Sequence, residues 1–269
     1  MIRGKGSYGE VIVSQKDAGI LQKKIQQKDP VKALNMFQKL TAVSKLLKQM
    51  NQGQDQKYFA GLLLPDSTPF LYKMKDGGFS LEHLVKHSSP SKLKVLQKEW
   101  LDAFPSLFMA IKKLNSRKLV HRDIKMDNIV WEDQKKKLSL IDYDILITQD
   151  KVKPRVSSND LRYWYPPDFF LPSIYPYYLK TQFFHKLPTN IRNQFQSFLS
   201  LNKQIQMIAS KIDLFSLGMV ILRCFSSVPS ASFQKELETI VLLMIHPDPI
   251  QRRFPTKTEW QHLKQSFYK

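Results

Sequence analysis

The sequence predicts an α+β chain: a small β-rich N-terminal lobe with one main helix (residues 1–74), then a larger, mostly helical C-terminal lobe (75–269). Three observations predict it. The first thirty residues alternate in strand fashion around a glycine cluster. Residues 31–50 repeat apolar side chains at helical spacing. Past KDGGF (75–79), which reads as a connector, the pattern turns mainly helical.

In order, the helix VKALNMFQKLTAVSKLLKQM follows Asp29-Pro30 and lines up Leu34, Phe37, Leu40, Val43, Leu46 and Leu47, with lysines between them. Two strand-like pieces, YFAGLLL (58–64) and PFLYKM (69–74), flank the turn-like PDST. Helices are expected over 80–87, 97–117, 211–225, 232–245 and 257–267. A short strand pair, NIVWE (128–132) and KLSLIDY (137–143), sits among them. No internal repeat or low-complexity region interrupts the chain.

Composition narrows the function classes. The single cysteine, Cys224, excludes a disulfide framework and a cysteine-built zinc site within this chain, and points to a reducing compartment. Apolar runs such as LFSLGMVIL (214–222) are too short to span a bilayer, and MIRGKGSYGE has no signal-peptide character. A soluble intracellular protein, cytoplasmic or nuclear, without membrane partners is the expectation. Lys and Arg number 42 against 23 Asp and Glu, a net charge of +19, which favours association with nucleic acid or other polyanions. A lysine-rich surface that only confers solubility is the other reading of the same number.

Two stretches carry chemistry. GKGSYGEV places glycines at 4, 6 and 9, where backbone amides can approach an anion without Cβ clashes. The β-branched residues that follow make a hairpin over phosphates the better reading than a strand-to-helix turn. HRDIKMDN (121–128) sets Asp123 to accept a proton, Lys125 to neutralise a phosphoryl group and Asn128 to bind a metal through its amide oxygen. Asp142, ending the apolar strand LSLID, adds a carboxylate for an oxygen-ligand Mg²⁺ site. Each acid alone is a common surface-turn residue; their joint occurrence is not.

In these residues the sequence resembles the eukaryotic-type protein kinase family over nearly its whole length. The family's glycine-rich loop is similar to Gly4–Val11, and its H-R-D-x-K-x-x-N loop to His121–Asn128. The D-F-G motif resembles Asp142-Tyr143-Asp144, and A-P-E resembles Pro166-Pro167-Asp168. D-x-W-S-x-G resembles the run from Asp213 to Gly218, and D-P-x-x-R the run from Asp248 to Arg252. Lys125 matches the Ser/Thr version of the loop. The resemblance implies a single two-lobed kinase domain over 1–269 using ATP with Mg²⁺, or Mn²⁺ in its place, on a protein substrate. It implies catalytic roles for Asp123, Lys125 and Asn128, and metal binding by Asn128 and Asp142. For the nucleotide it implies Gly4, Gly6, Gly9 and Val11 over the phosphates, and Lys23, rather than Lys24, as the anchoring strand lysine. Leu21 and Val130 would sandwich adenine, Tyr72 would be the gatekeeper, and Lys73 and Met74 would belong to the hinge, which runs to Lys75.

The departures are as informative. The helix 31–50 has no Asp or Glu, where the family pairs a glutamate with the strand lysine. Apolar spacing puts Lys39 at that place, repulsive toward Lys23; a rotated helix would present Gln38 instead. Only Met1, Ile2 and Arg3 precede the first glycine, so the first strand is expected to be short, with Arg3 in place of an apolar roof. Asp144 replaces the last glycine of its motif, tolerating unusual backbone angles better than most residues. The stretch from Asp168 to Asp213 is long, with an aromatic-rich insertion over about 169–207 that fits a buried element or a docking surface. Trimming and insertion together resemble virus-encoded kinases. Ser157 and Ser158 are candidates for phosphorylation paired with Arg122. An active Ser/Thr kinase is the leading expectation; a pseudokinase or scaffold lacking the lysine–glutamate pair, possessing a basic nucleic-acid-binding surface, is the alternative.

Overall fold

The structure, a computed structural model, describes residues 2–6, 9–13, 20–51, 58–201 and 205–268, with backbone alone at 2–6, 9–11 and 13. It is a mixed α/β chain with small antiparallel sheets. Strands β1 (Ile2–Gly6), β2 (Gly9–Val13) and β3 (Ile20–Ile25) precede helix α1 (Pro30–Asn51). Strands β4 (Leu71–Lys75) and β5 (Phe79–Ser80) and helices α2 (Leu81–His87) and α3 (Pro90–Ser116) follow. Then come β6 (Leu119–Val120), β7 (Ile129–Glu132), β8 (Lys137–Leu140) and β9 (Ile147–Thr148). The rest is helical: α4 (Tyr175–Leu179), α5 (Gln182–His185), α6 (Thr189–Leu199), α7 (Ala209–Phe225), α8 (Ala231–Ile245) and α9 (Lys257–Phe267).

The first sheet has the order β1-β2-β3-β4, all antiparallel. Helix α1 starts where Asp29 Oδ1 accepts from the N–H groups of Val31 and Lys32, at 2.9 and 3.2 Å, with Pro30 needing no partner. Its Leu40 packs into a small cluster with Ile25, Leu63 and Tyr72, while Leu47 and Met50, two turns on, join the large core. One helix thus links the sheet to the rest of the protein. Leu34, placed on the apolar stripe by spacing, is 45% exposed, one turn from the helix start.

The large core is built around α3 and α7. Helix α7 is buried on nearly all sides from Ile212 to Leu222 and packs closely on α8. Gly218 permits that approach, since a Cβ there would lie 2.5 Å from Ile245 Cγ2. Helix α3 begins at Pro90, earlier than the expected 97, because Ser89 caps it and Pro90 fits the first turn. YFAGLLL does not form the expected strand. Gly61 sits at φ +62°, which breaks extension, and only isolated bridges remain, Phe59 to Leu140 and Leu63 to Met74. The aromatic segment after Asp168 folds as α4–α6, with Phe169, Phe170, Tyr175, Tyr178, Phe184 and Phe195 buried in the core and Tyr177 exposed. Among the described residues no helix is long and apolar enough to cross a membrane.

Candidate functional site

The loop between β6 and β7 is shaped by a buried carboxylate. Asp213, near the start of α7, accepts from the backbone N–H groups of His121 and Arg122, at 2.7 and 2.9 Å. Burial pushes the Asp213 carboxyl above its ordinary range, and the His121 and Arg122 groups pull it back. Arg122 takes φ +68°, a left-handed conformation that this anchoring holds in place. Its guanidinium donates from Nε and Nη2 to the Ile145 carbonyl, at 2.9 and 2.5 Å.

Asp123 then becomes the centre of a local network. Lys125 Nζ lies 2.9 Å from Asp123 Oδ2, and Asn128 Nδ2 donates to the same oxygen at 2.8 Å and to the Asp123 carbonyl at 2.9 Å. Trp164 presents its ring 5.0 Å from Lys125 Nζ. The β7–β8 ladder carries the loop to the next acid: Ile129 pairs with Leu140, and the Ile141 N–H donates to the Asn128 carbonyl at 3.0 Å. Asp142 follows at once, at φ +62°. Tyr143 is buried between Phe59 and His121, with centroids 6.2 and 5.4 Å away, and donates its hydroxyl to the Leu140 carbonyl.

Lys23 meets this group from β3. Its Nζ is 3.0 Å from Asp144 Oδ2 and 3.7 Å from Asp142 Oδ1. Burial alone would lower the Lys23 ammonium, but the two carboxylates more than offset it and hold it raised. Asp144 is pushed up by burial and by Asp142, with Lys23 opposing. The helix contributes Lys39, whose Nζ donates to the Asp144 backbone carbonyl at 2.8 Å. Lys39 is lowered by burial and by the nearby Arg122 charge. The repulsion expected between Lys39 and Lys23 is resolved by Asp144, which gives its carboxylate to one lysine and its carbonyl to the other. Gln38 is exposed.

The remaining residues fall on the sheet beside Lys23. Register pairs Lys23 with Tyr72, Leu21 with Met74 and Val11 with Lys23 on the other edge. Tyr72 is buried, and its hydroxyl is pushed up to about 12 by burial and by Asp144. Lys73 has its backbone N–H on Ser67 Oγ at 2.9 Å and its carbonyl accepting from Leu64 at 2.8 Å. Val130 packs under the connector, where a Cβ on Gly77 would come within 2.9 Å of its Cγ2. Gly4 and Gly6 lie on β1 and Gly9 on β2, with Gly6 paired to Gly9 as a hairpin. Ser7 and Tyr8 between them, and the side chains of Arg3 and Val11, lie outside what is described.

The donor set suits a hard cation that keeps some ligands from elsewhere. Asp142 Oδ1 is buried and takes no hydrogen bond among the described residues. The Asn128 amide hydrogens are engaged by Asp123, leaving its oxygen as the acceptor. Among the described residues no cluster of three His, Cys, Asp or Glu forms a complete cage. One carboxylate and one amide oxygen match the way Mg²⁺ binds with substrate phosphates and water completing its shell. Sequence reasoning missed the parts played by Asp144 and Asp213; a carboxylate absent from α1 and one gained at 144 were the available signal.

No protein-family profile matches the chain. Two curated proteins are similar to about half of it. "Calcium-dependent protein kinase 5" of Plasmodium berghei (strain Anka) is 26% identical over 132 residues, 48% of this chain and 22% of that protein. "Probable serine/threonine-protein kinase fnkE" of Dictyostelium discoideum is 24% identical over 151 residues, 52% of this chain and 11% of that protein. The chain therefore spans less than a quarter of the length of these relatives. The similarities support a distant, partial relationship to Ser/Thr protein kinases. Neither relative is viral, and the viral origin expected from the trimmed sequence finds no support.

Proposed function

We propose that the chain is a two-lobed Ser/Thr protein kinase domain, residues 1–74 and 75–269, which moves the γ-phosphoryl of ATP to a protein hydroxyl. The observation that carries this reading is the Asp123–Lys125–Asn128 network set beside Asp142 and Lys23. Asp123 takes the proton of the attacking hydroxyl as its oxygen bonds to the γ-phosphorus. The bond from that phosphorus to the bridging oxygen breaks, and ADP leaves with the electron pair. Lys125 offsets charge on the transferring group, and Lys23 orients the phosphates behind it. Asp142 and the Asn128 oxygen would hold Mg²⁺, or Mn²⁺, whose charge neutralises the phosphate oxygens when bound. The glycine hairpin covers the phosphates with Val11 beside it; Leu21 and Val130 flank adenine, and Tyr72, Lys73 and Met74 border it.

A transfer assay with ATP and Mg²⁺ on generic basic and acidic substrates tests the reading. Asp123→Asn is expected to lower kcat roughly 10²- to 10⁴-fold while nucleotide affinity stays near wild type. Equal phosphate incorporation by both proteins would defeat it. A second reading, a non-catalytic scaffold, is favoured by the absence of any acid in α1; no transfer by the wild type would favour it in turn. Association with nucleic acid through the +19 charge is compatible with either and is expected to weaken steeply with salt.

A further inference from the structure

We infer that Asp144 is the positioning residue for Lys23, supplying from the loop after β8 the carboxylate that α1 does not supply. The inference deepens the proposed function and rests on it. Lys23 is a largely buried cation with two carboxylates in reach, Asp144 at 3.0 Å and Asp142 at 3.7 Å. A buried ammonium needs a close partner, and among the described residues the carboxylate at hydrogen-bond distance is Asp144. The two acids are not equivalent. Among the described residues Asp142 Oδ1 takes no hydrogen bond and lies 3.7 Å from Lys23 Nζ, beyond hydrogen-bond reach. Asp144 makes the hydrogen bond to Lys23.

The same residue ties in the helix. Lys39 Nζ donates to the Asp144 carbonyl at 2.8 Å, so α1, β3 and the loop converge on one residue. A helix acid would itself reach the strand lysine; here the helix lysine holds the loop that carries the acid. Two sequence departures, the lysine in α1 and the aspartate at 144, therefore account for each other. Asp144 does not touch the reacting atoms, and its effect passes through Lys23.

The test is charge removal and relocation. Asp144→Asn keeps the shape and is expected to lower kcat/KM for ATP roughly 10- to 100-fold, the loss of a charge-assisted bond. Adding Lys39→Glu puts a carboxylate on the side chain that already reaches this loop and is expected to recover most of that loss. A purely structural aspartate would not be rescued in kcat/KM by a charge on the helix. Wild-type kcat/KM in Asp144→Asn, or no recovery in a double variant with wild-type Tm, overturns the inference. Thermal unfolding without nucleotide separates this from failure of the kinase reading. In a cycle of Lys23→Met and Asp144→Asn, non-additive Tm losses support the pairing and additive losses overturn it. A wild type that transfers no phosphate defeats the proposed function, and the cycle then decides the pairing by itself.

Discussion

Arg252 Nη2 donates to Asp168 Oδ1 across 2.5 Å with both side chains fully buried, joining the segment before α4 to the turn after α8. Arg252 also donates to the carbonyls of His246 and Pro247 and lies 5.0 Å over the Phe215 ring. Both charges left water on folding, so the pair adds less than its Coulomb energy, but removing one partner strands the other. Asp168→Asn is expected to destabilise the chain by about 3–5 kcal/mol, measured by urea unfolding. Asp168→Leu with Arg252→Met is expected to recover part of that loss, though not all, because the two carbonyls lose their donor.

The close approach of α7 and α8 sets a second expectation. Gly218→Ala raises helix propensity by up to about 1 kcal/mol on an open helix. Here the new Cβ would lie 2.5 Å from Ile245 Cγ2 and 2.9 Å from Met244 Cβ, inside a packed core. Overpacking wins: the expected outcome is a loss of about 1–3 kcal/mol and a lower Tm, and a raised Tm would show that the helices separate freely.

What could be read from the sequence follows from the range of the contacts. The loop at 121–128 was legible because its network is local, with Lys125 and Asn128 two and five residues from Asp123. The start of helix α9 was legible because Thr256 and Glu259 form a capping box. The start of α3 was misplaced because its first turns, Pro90 to Val95, carry no buried residue and so leave little periodic signal. YFAGLLL looks like a strand by composition, yet one glycine at positive φ cancels it. Asp144 was the hardest to see. Its partners lie 121 and 105 residues away, and no spacing rule connects a loop acid to a strand and a helix at such separations.

The α9 capping box gives the chain an acid-sensitive point. Arg253 donates to both Glu259 oxygens, at 2.8 and 2.6 Å, and the Thr256 N–H adds a third bond at 2.7 Å. These hold the Glu259 carboxyl down to about 2, from an ordinary 4.5. With the folded value depressed, the unfolded state binds more protons between the two. The contribution is therefore full above the ordinary value and lost as pH falls toward about 2. The Tm gap between wild type and Glu259→Gln is expected to be constant near neutral pH and to close on acidification. Because the pair is partly exposed, salt is expected to narrow it.

Adjacent lysines on β3 offer the sharpest test of register. Lys23 points where Tyr72 lies across the ladder and meets Asp144 and Asp142, whereas Lys24, one residue on, is exposed. A strand's period of two forces this division, so a slip by one residue would exchange the roles. Both substitutions to Met remove one positive charge from the same strand, so net charge and strand propensity barely distinguish them. Lys23→Met leaves two carboxylates facing each other without their cation. It is expected to lower kcat/KM for ATP by more than tenfold, through lost phosphate contact and carboxylate repulsion. Lys24→Met is expected to stay within about twofold of wild type, since an exposed cation contributes little. Measured side by side, a larger loss in Lys24→Met would move the register of β3 by one and take Leu21 off the face proposed for the nucleotide with it.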